Sequence, residues 1–91
     1  MVDTIVKADR EDNSDATVKC WHISYDVEDS GNKNSFVVVI LAEDMTDATD
    51  AAEAKTLANA KATTIKADWV TALTTASTLT NDATLEGTVT L

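Results

Sequence analysis

The chain has 91 residues, sixteen of them Asp or Glu against seven Lys or Arg, giving a formal net charge of −9 and a pI near 4.2. That length holds one domain and leaves no room for a second core. Acidity on this scale excludes recognition of phosphates or of an anionic bilayer through a basic surface, so neither nucleic acid nor a membrane is an expected partner.

Fifteen Thr and fourteen Ala make up about a third of the sequence, and the aromatic residues are only Trp21, Tyr25, Phe36 and Trp69, so the expected core is thin. Residues 1–50 carry twelve acids and four bases, whereas residues 51–91 carry four acids and three bases. The acids cluster at 9–15, 26–29 and 43–50, where solvated loops and element ends are expected. The stretch Asp9 to Asp15 is rich in oxygen ligands but lacks the mid-loop Gly and closing Glu of a calcium loop, so no cation site is assigned. Met1-Val2-Asp3-Thr4 shows no leader pattern, and no apolar run approaches the roughly 18 residues of a span. Synthesis and retention in a cytoplasm are expected. A single cysteine, Cys20, excludes an internal disulfide and fits a reducing compartment.

Residues 1–16 read as an N-terminal strand or arm, apolar from Val2 to Lys7, followed by an acidic loop. Thr17 to Glu28 alternates, with Trp21, Ile23, Tyr25 and Val27 on one face and Val18, Cys20, His22, Ser24 and Asp26 on the other. Asp29 to Asn34 reads as a turn, and Ser35 to Ala42, apolar on both faces, as a second strand central in the sheet. A hairpin over 17–42 then has Val27 opposite Phe36, Tyr25 opposite Val38, Ile23 opposite Ile40 and Trp21 opposite Ala42.

From Asp47 to Ala76 the period becomes helical. Ala51, Ala54, Ala58, Ala62, Ile65, Trp69, Ala72 and Ala76 form one stripe, flanked by Leu57 and Leu73, with Thr46 or Asp47 placed to cap its start. Residues 84–91 alternate Leu85, Gly87, Val89 and Leu91 with Thr84, Glu86, Thr88 and Thr90, which predicts a terminal strand. The class is α+β, a small sheet of three to four strands with one long helix on one face, in the order β-β-β-α-β.

Candidate chemistry is sparse. Cys20, His22, Ser24 and Asp26 share a strand face, but i and i+2 side chains lie about 6 to 7 Å apart by twice the strand rise, too far for a Cys–His nucleophile pair. Zinc needs a further Cys or His that the chain does not contain. Two glycines cannot build a phosphate-binding loop or a nucleophile elbow. No catalytic residue, metal ligand or cofactor is therefore assigned, and the expected protein is not an enzyme.

The run Ala54-Lys55-Thr56-Leu57-Ala58-Asn59-Ala60-Lys61-Ala62, continued by Ile65-Lys66-Ala67-Asp68-Trp69-Val70 and Leu73 and closed by Gly87-Thr88-Val89-Thr90-Leu91, resembles small virion proteins of tailed bacteriophages. In these an acidic hairpin, an Ala/Lys helix with Lys-x-x-Trp and a terminal strand follow one another. The resemblance covers residues 17 to 91. It implies a structural part of the virion present in many copies on the head, neck or tail, with other virion proteins and copies of itself as partners.

The residues point the same way through a second, half-apolar sheet face. Val18, Val37, Val39 and Leu41 lie on the side that a single helix leaves uncovered, and they are the candidate protein interface. Two alternatives stay open. The N-terminal segment, through Val2, Ile5 and Val6, folds over this strip within one chain, or the acidic chain imitates DNA and occupies the basic cleft of a host protein.

Overall fold

A computed structural model describes residues 2–10, 19–75 and 86–91. Three strands, β1 (Thr4–Arg10), β2 (Cys20–Asp29) and β3 (Asn32–Leu41), precede a short 3₁₀ turn at Ala42–Asp44 and a helix, α1 (Ala51–Thr74). The strands form an antiparallel sheet in the order β1-β2-β3, with α1 packed across β2 and β3. The α+β class and the single long helix agree with the expectation from sequence.

β2 and β3 join through Ser30-Gly31, both with positive φ, 50° and 86°. That is the backbone of a two-residue primed turn, whose twist matches the strands it connects. Asp29 consequently faces Asn32, and the ladder runs Val27 to Asn34, Tyr25 to Phe36, Ile23 to Val38 and Trp21 to Ile40. The expected pairing is thus displaced by two residues. The face assignment survives because a shift of two preserves the side of every side chain, and hydrophobic pattern alone cannot distinguish the two registers. The tight turn decides between them.

Among the described residues the sheet's centre is β2, with β3 at an edge in place of the central position expected for Ser35 to Ala42. β1 is also longer than expected, because pairing continues through Asp9 opposite His22 and Arg10 opposite Trp21. Its ladder shifts at Val6, the extra residue of a bulge between Ile5 and Lys7. The predicted terminal strand is not formed: residues 86–91 are exposed and outside the sheet, while 84–85 lie outside the described residues. Alternation specifies which side chains share a face, but a strand forms only against a partner.

Ile23, Tyr25, Val27, Val38 and Ile40 make the sheet side of the core, and Ala54, Ala58 and Ala62 the helix side, with Met45 closing one end. Tyr25 and Phe36 stack across the strands at 5.5 Å between ring centres. Ala58 is 0% exposed and Ile40 1%, so the helix backbone itself approaches the sheet where no side chain larger than a methyl intervenes.

The buried stripe is shorter than predicted. Ala51 and Ala72 are exposed, Ile65 is 38% exposed, and Trp69 and Leu73 are half-buried; Ala76 lies outside the described residues. A 24-residue helix is about 36 Å long; its fully buried alanines span about 12 Å, and partly buried Trp69 carries the packing further along α1.

The cap belongs to Asp50, which accepts from the backbone N–H groups of Ala52 (3.0 Å) and Glu53 (3.2 Å). Glu53 reaches back to the N–H groups of Thr46 (2.9 Å) and Asp47 (3.0 Å). Glu53 thus ties down the loop that precedes the cap, while the Asp50 N–H bonds the Asp47 carbonyl at 3.0 Å, so Glu53 does not close a reciprocal capping box. At the other end Thr74 and Thr75 turn their hydroxyls onto the carbonyl of Thr71, at 2.8 and 3.0 Å.

The tight alanine contact sets an expected outcome. Ala58→Leu should lower stability by about 1–3 kcal/mol through overpacking, whereas Ala60→Leu on the exposed side of the same turn should change it by less than about 0.5 kcal/mol. Urea unfolding of both variants followed by circular dichroism measures the difference.

Candidate interaction surface

The face of the sheet turned away from α1 carries Thr4, Lys7 and Asp9 from β1, Cys20, His22, Ser24 and Asp26 from β2, and Ser35, Val37, Val39 and Leu41 from β3. Its chemistry changes across the strands. Thr4, Asp26 and Ser35 form a polar row near the turn, with the Ser35 hydroxyl donating to Asp26 Oδ1 at 2.6 Å. Along β3 the row becomes apolar, with Val37 54%, Val39 43% and Leu41 40% exposed. These three are the described members of the predicted interface; Val18 lies outside the described residues.

The same three residues own the open edge of the backbone. In an antiparallel ladder, directly opposed residues alternate between exchanging hydrogen bonds and turning their N–H and C=O groups outward. The two-residue turn makes Asp29 and Asn32 a bonded pair, which places Phe36, Val38 and Ile40 in bonded positions too. The Ala42 N–H to Lys19 carbonyl bond at 2.8 Å continues that phase. Ser35, Val37, Val39 and Leu41 therefore direct their peptide groups away from β2, where the sheet has no further strand among the described residues. An apolar side-chain strip and a row of outward peptide groups coincide on one edge strand.

The N-terminal segment does not cover this strip. β1 pairs with the far side of β2, and Ile5 packs beneath α1 against the core, while Val2 and Val6 remain 73% and 54% exposed. Turning β1 over the strip would forfeit its ladder with β2.

Cys20 and His22 do meet, contrary to the spacing argument: Sγ lies 3.4 Å from Nε2. Side-chain rotation closes a gap that the strand rise alone leaves open. The constellation goes no further, since Ser24 is half-buried and Asp26 accepts from Ser35. Cys20 is 8% exposed, and among the described residues no three His, Cys, Asp or Glu side chains are grouped to hold a metal.

A cleft of about 450 Å³ lies between α1 and β1, lined by Asp3, Ile5, Tyr25, Asn59, Thr63 and Lys66 among others. Its polar groups are engaged with one another. Tyr25 donates to Asn59 Oδ1 at 2.6 Å, and burial raises its phenol above the usual value. Lys66 donates to Asp3 Oδ2 at 2.7 Å, and Asp3 Oδ1 accepts from the Glu28 N–H at 3.1 Å. The cap falls on Asp50 and not on the expected Thr46 or Asp47, and the spacing Asp50-x-x-Glu53 is the helix-start signal that marks it. The ties from Asp3 to Lys66 and from Tyr25 to Asn59 link residues 63 and 34 positions apart and leave no local signal.

Three carboxyls are held below their ordinary values. Asp3 is lowered by the Lys66 hydrogen bond first and the Glu28 N–H second, Asp47 by the Thr49 hydroxyl and then its N–H, and Glu53 by the N–H groups of Asp47 and Thr46. A carboxyl depressed in the folded state stabilises it above the unfolded values of 3.8 for Asp and 4.5 for Glu. That contribution disappears as pH falls through the lower folded value. The urea midpoint should therefore decline on acidification below about pH 5, and Glu53→Gln should shrink the difference between pH 6 and pH 3. Equilibrium unfolding at the two pH values gives the comparison.

Among the described residues no helix is long and apolar enough to cross a membrane. No protein-family model, curated protein or solved structure matches the chain.

Proposed function

We propose that this protein is a non-enzymatic structural component that works in multiple copies, joined to itself or to larger partners through the helix-free face and open edge of β3. The observation that carries the reading is the coincidence of Val37, Val39 and Leu41, 40 to 54% exposed, with the outward peptide groups of the same edge. An apolar strip is unfavourable in water and the open strand edge beside it is a template for pairing, so a neighbour docked there buries the one and pairs the other. The resemblance to small virion proteins of tailed bacteriophages supplies the setting: a part of the head, neck or tail.

The DNA-mimic alternative requires carboxylates arrayed for a basic cleft. Asp50 and Glu53 instead hold the start of α1, Asp47 holds Thr49, and Asp3 holds Lys66. Those charges serve local folding, which favours assembly.

Light scattering behind size exclusion across a range of concentrations should show self-association of the purified chain. Val39→Glu should weaken that association while leaving the circular dichroism spectrum and the urea midpoint nearly unchanged, because Val39 contributes nothing to the core beneath α1. A chain that stays monomeric at every concentration and binds no virion protein, yet retains a basic DNA-binding protein at low salt, would favour the mimic instead.

A further inference from the structure

We infer that the open edge of β3 receives residues 86–91 of a second copy as an added strand. The inference rests on the assembly reading above and names the piece that completes the sheet. One chain leaves two complementary things unsatisfied. The first is the β3 edge, with Ser35, Val37, Val39 and Leu41 turning N–H and C=O groups outward. The second is segment 86–91, which lies outside the sheet with Val89 67% exposed and Leu91 fully so.

The segment has the composition of a strand. Thr88, Val89 and Thr90 are consecutive β-branched residues, apolar and polar positions alternate from Gly87 to Leu91, and no Pro interrupts it. β3 is a matching acceptor because it is apolar on both faces, with Phe36, Val38 and Ile40 on one side and Val37, Val39 and Leu41 on the other. Whichever face the added Val89 and Leu91 occupy, they find apolar neighbours. Among the described residues the segment stands unpaired and β3 has no second neighbour, and exchange between copies is the arrangement that pairs both. Main-chain bonds then supply affinity, and the alternating side chains supply register. Each copy gives one strand and receives another, which closes as a reciprocal dimer or a larger ring, or continues as a filament.

Hydrogen exchange on the full chain, read at single amides, tests this. The amides of Val37, Val39 and Leu41 should exchange freely in dilute protein and become protected as concentration and oligomer size rise together, while those of Val38 and Ile40, bonded to β2, stay protected throughout. Val89→Pro removes a donor from the exposed segment without touching the core, and where that donor bonds β3 the variant should abolish both the oligomer and the protection of the three edge amides. Thr88→Pro is the companion variant: adjacent strand residues point their N–H groups to opposite sides, so at least one of the two removes a bond to β3 and should give that loss. An oligomer that survives both variants, with the edge amides still exchanging freely, would overturn the strand exchange while leaving assembly through the sheet face intact. Edge protection in a strictly monomeric chain would overturn it too, since the segment would then pair with its own β3. A wild-type chain with neither oligomer nor protection would remove the assembly reading itself.

Discussion

Ala54, Ala58 and Ala62 bring the axis of α1 down onto Ile23, Tyr25, Val27, Val38 and Ile40, and the rest of the molecule is arranged around that approach. Methyl groups bury little area each, so the contact gains through closeness: the larger sheet residues pack against helix backbone as well as side chains. The stripe can serve only one face. With α1 seated over β2 and β3, the opposite side of the sheet has no helix among the described residues, and the apolar residues that the alternation of β3 places there are exposed.

The acidity has a more local meaning than its total suggests. Asp50 and Glu53 satisfy the four backbone N–H groups of Thr46, Asp47, Ala52 and Glu53 at the entry to α1. Carboxylates at that position also complement the positive end of the helix dipole. Asp3 ties the beginning of the chain to Lys66 on α1 and to the Glu28 peptide on β2, joining three elements in one exposed contact. Exposed pairs of this kind add little to stability, so their service is to fix the position of elements that the core already holds together.

Function follows from what the core leaves out. The fully buried stripe of α1 covers only part of its 24 residues, β3 ends the sheet with open peptide groups, and among the described residues segment 86–91 carries a strand's pattern without a strand's partner. On the assembly proposed above, each of these features is one that a neighbour would cover or pair. The cleft between α1 and β1, by contrast, has its polar groups paired internally, Tyr25 with Asn59 and Asp3 with Lys66.

The amino-acid order by itself determined the α+β class, the helical stretch, the hairpin and the sorting of side chains between the two sheet faces. Those features rest on periods of 3.6 and 2 that are local to the chain. Val37, Val39 and Leu41 were legible as an uncovered strip for the same reason. Only the tertiary structure decided the hairpin register, because a displacement by two residues preserves every face and the choice falls to the positive φ angles at Ser30 and Gly31. It also decided that β2 is central among the described strands, that β1 lies too far from the strip to cover it, and that the helix stripe is fully buried only from Ala54 to Ala62. It left 86–91 without a partner as well. Periodicity says which residues point the same way, but strand order, the reach of a helix and the pairing of an edge depend on segments distant in sequence, whose meeting no local pattern records.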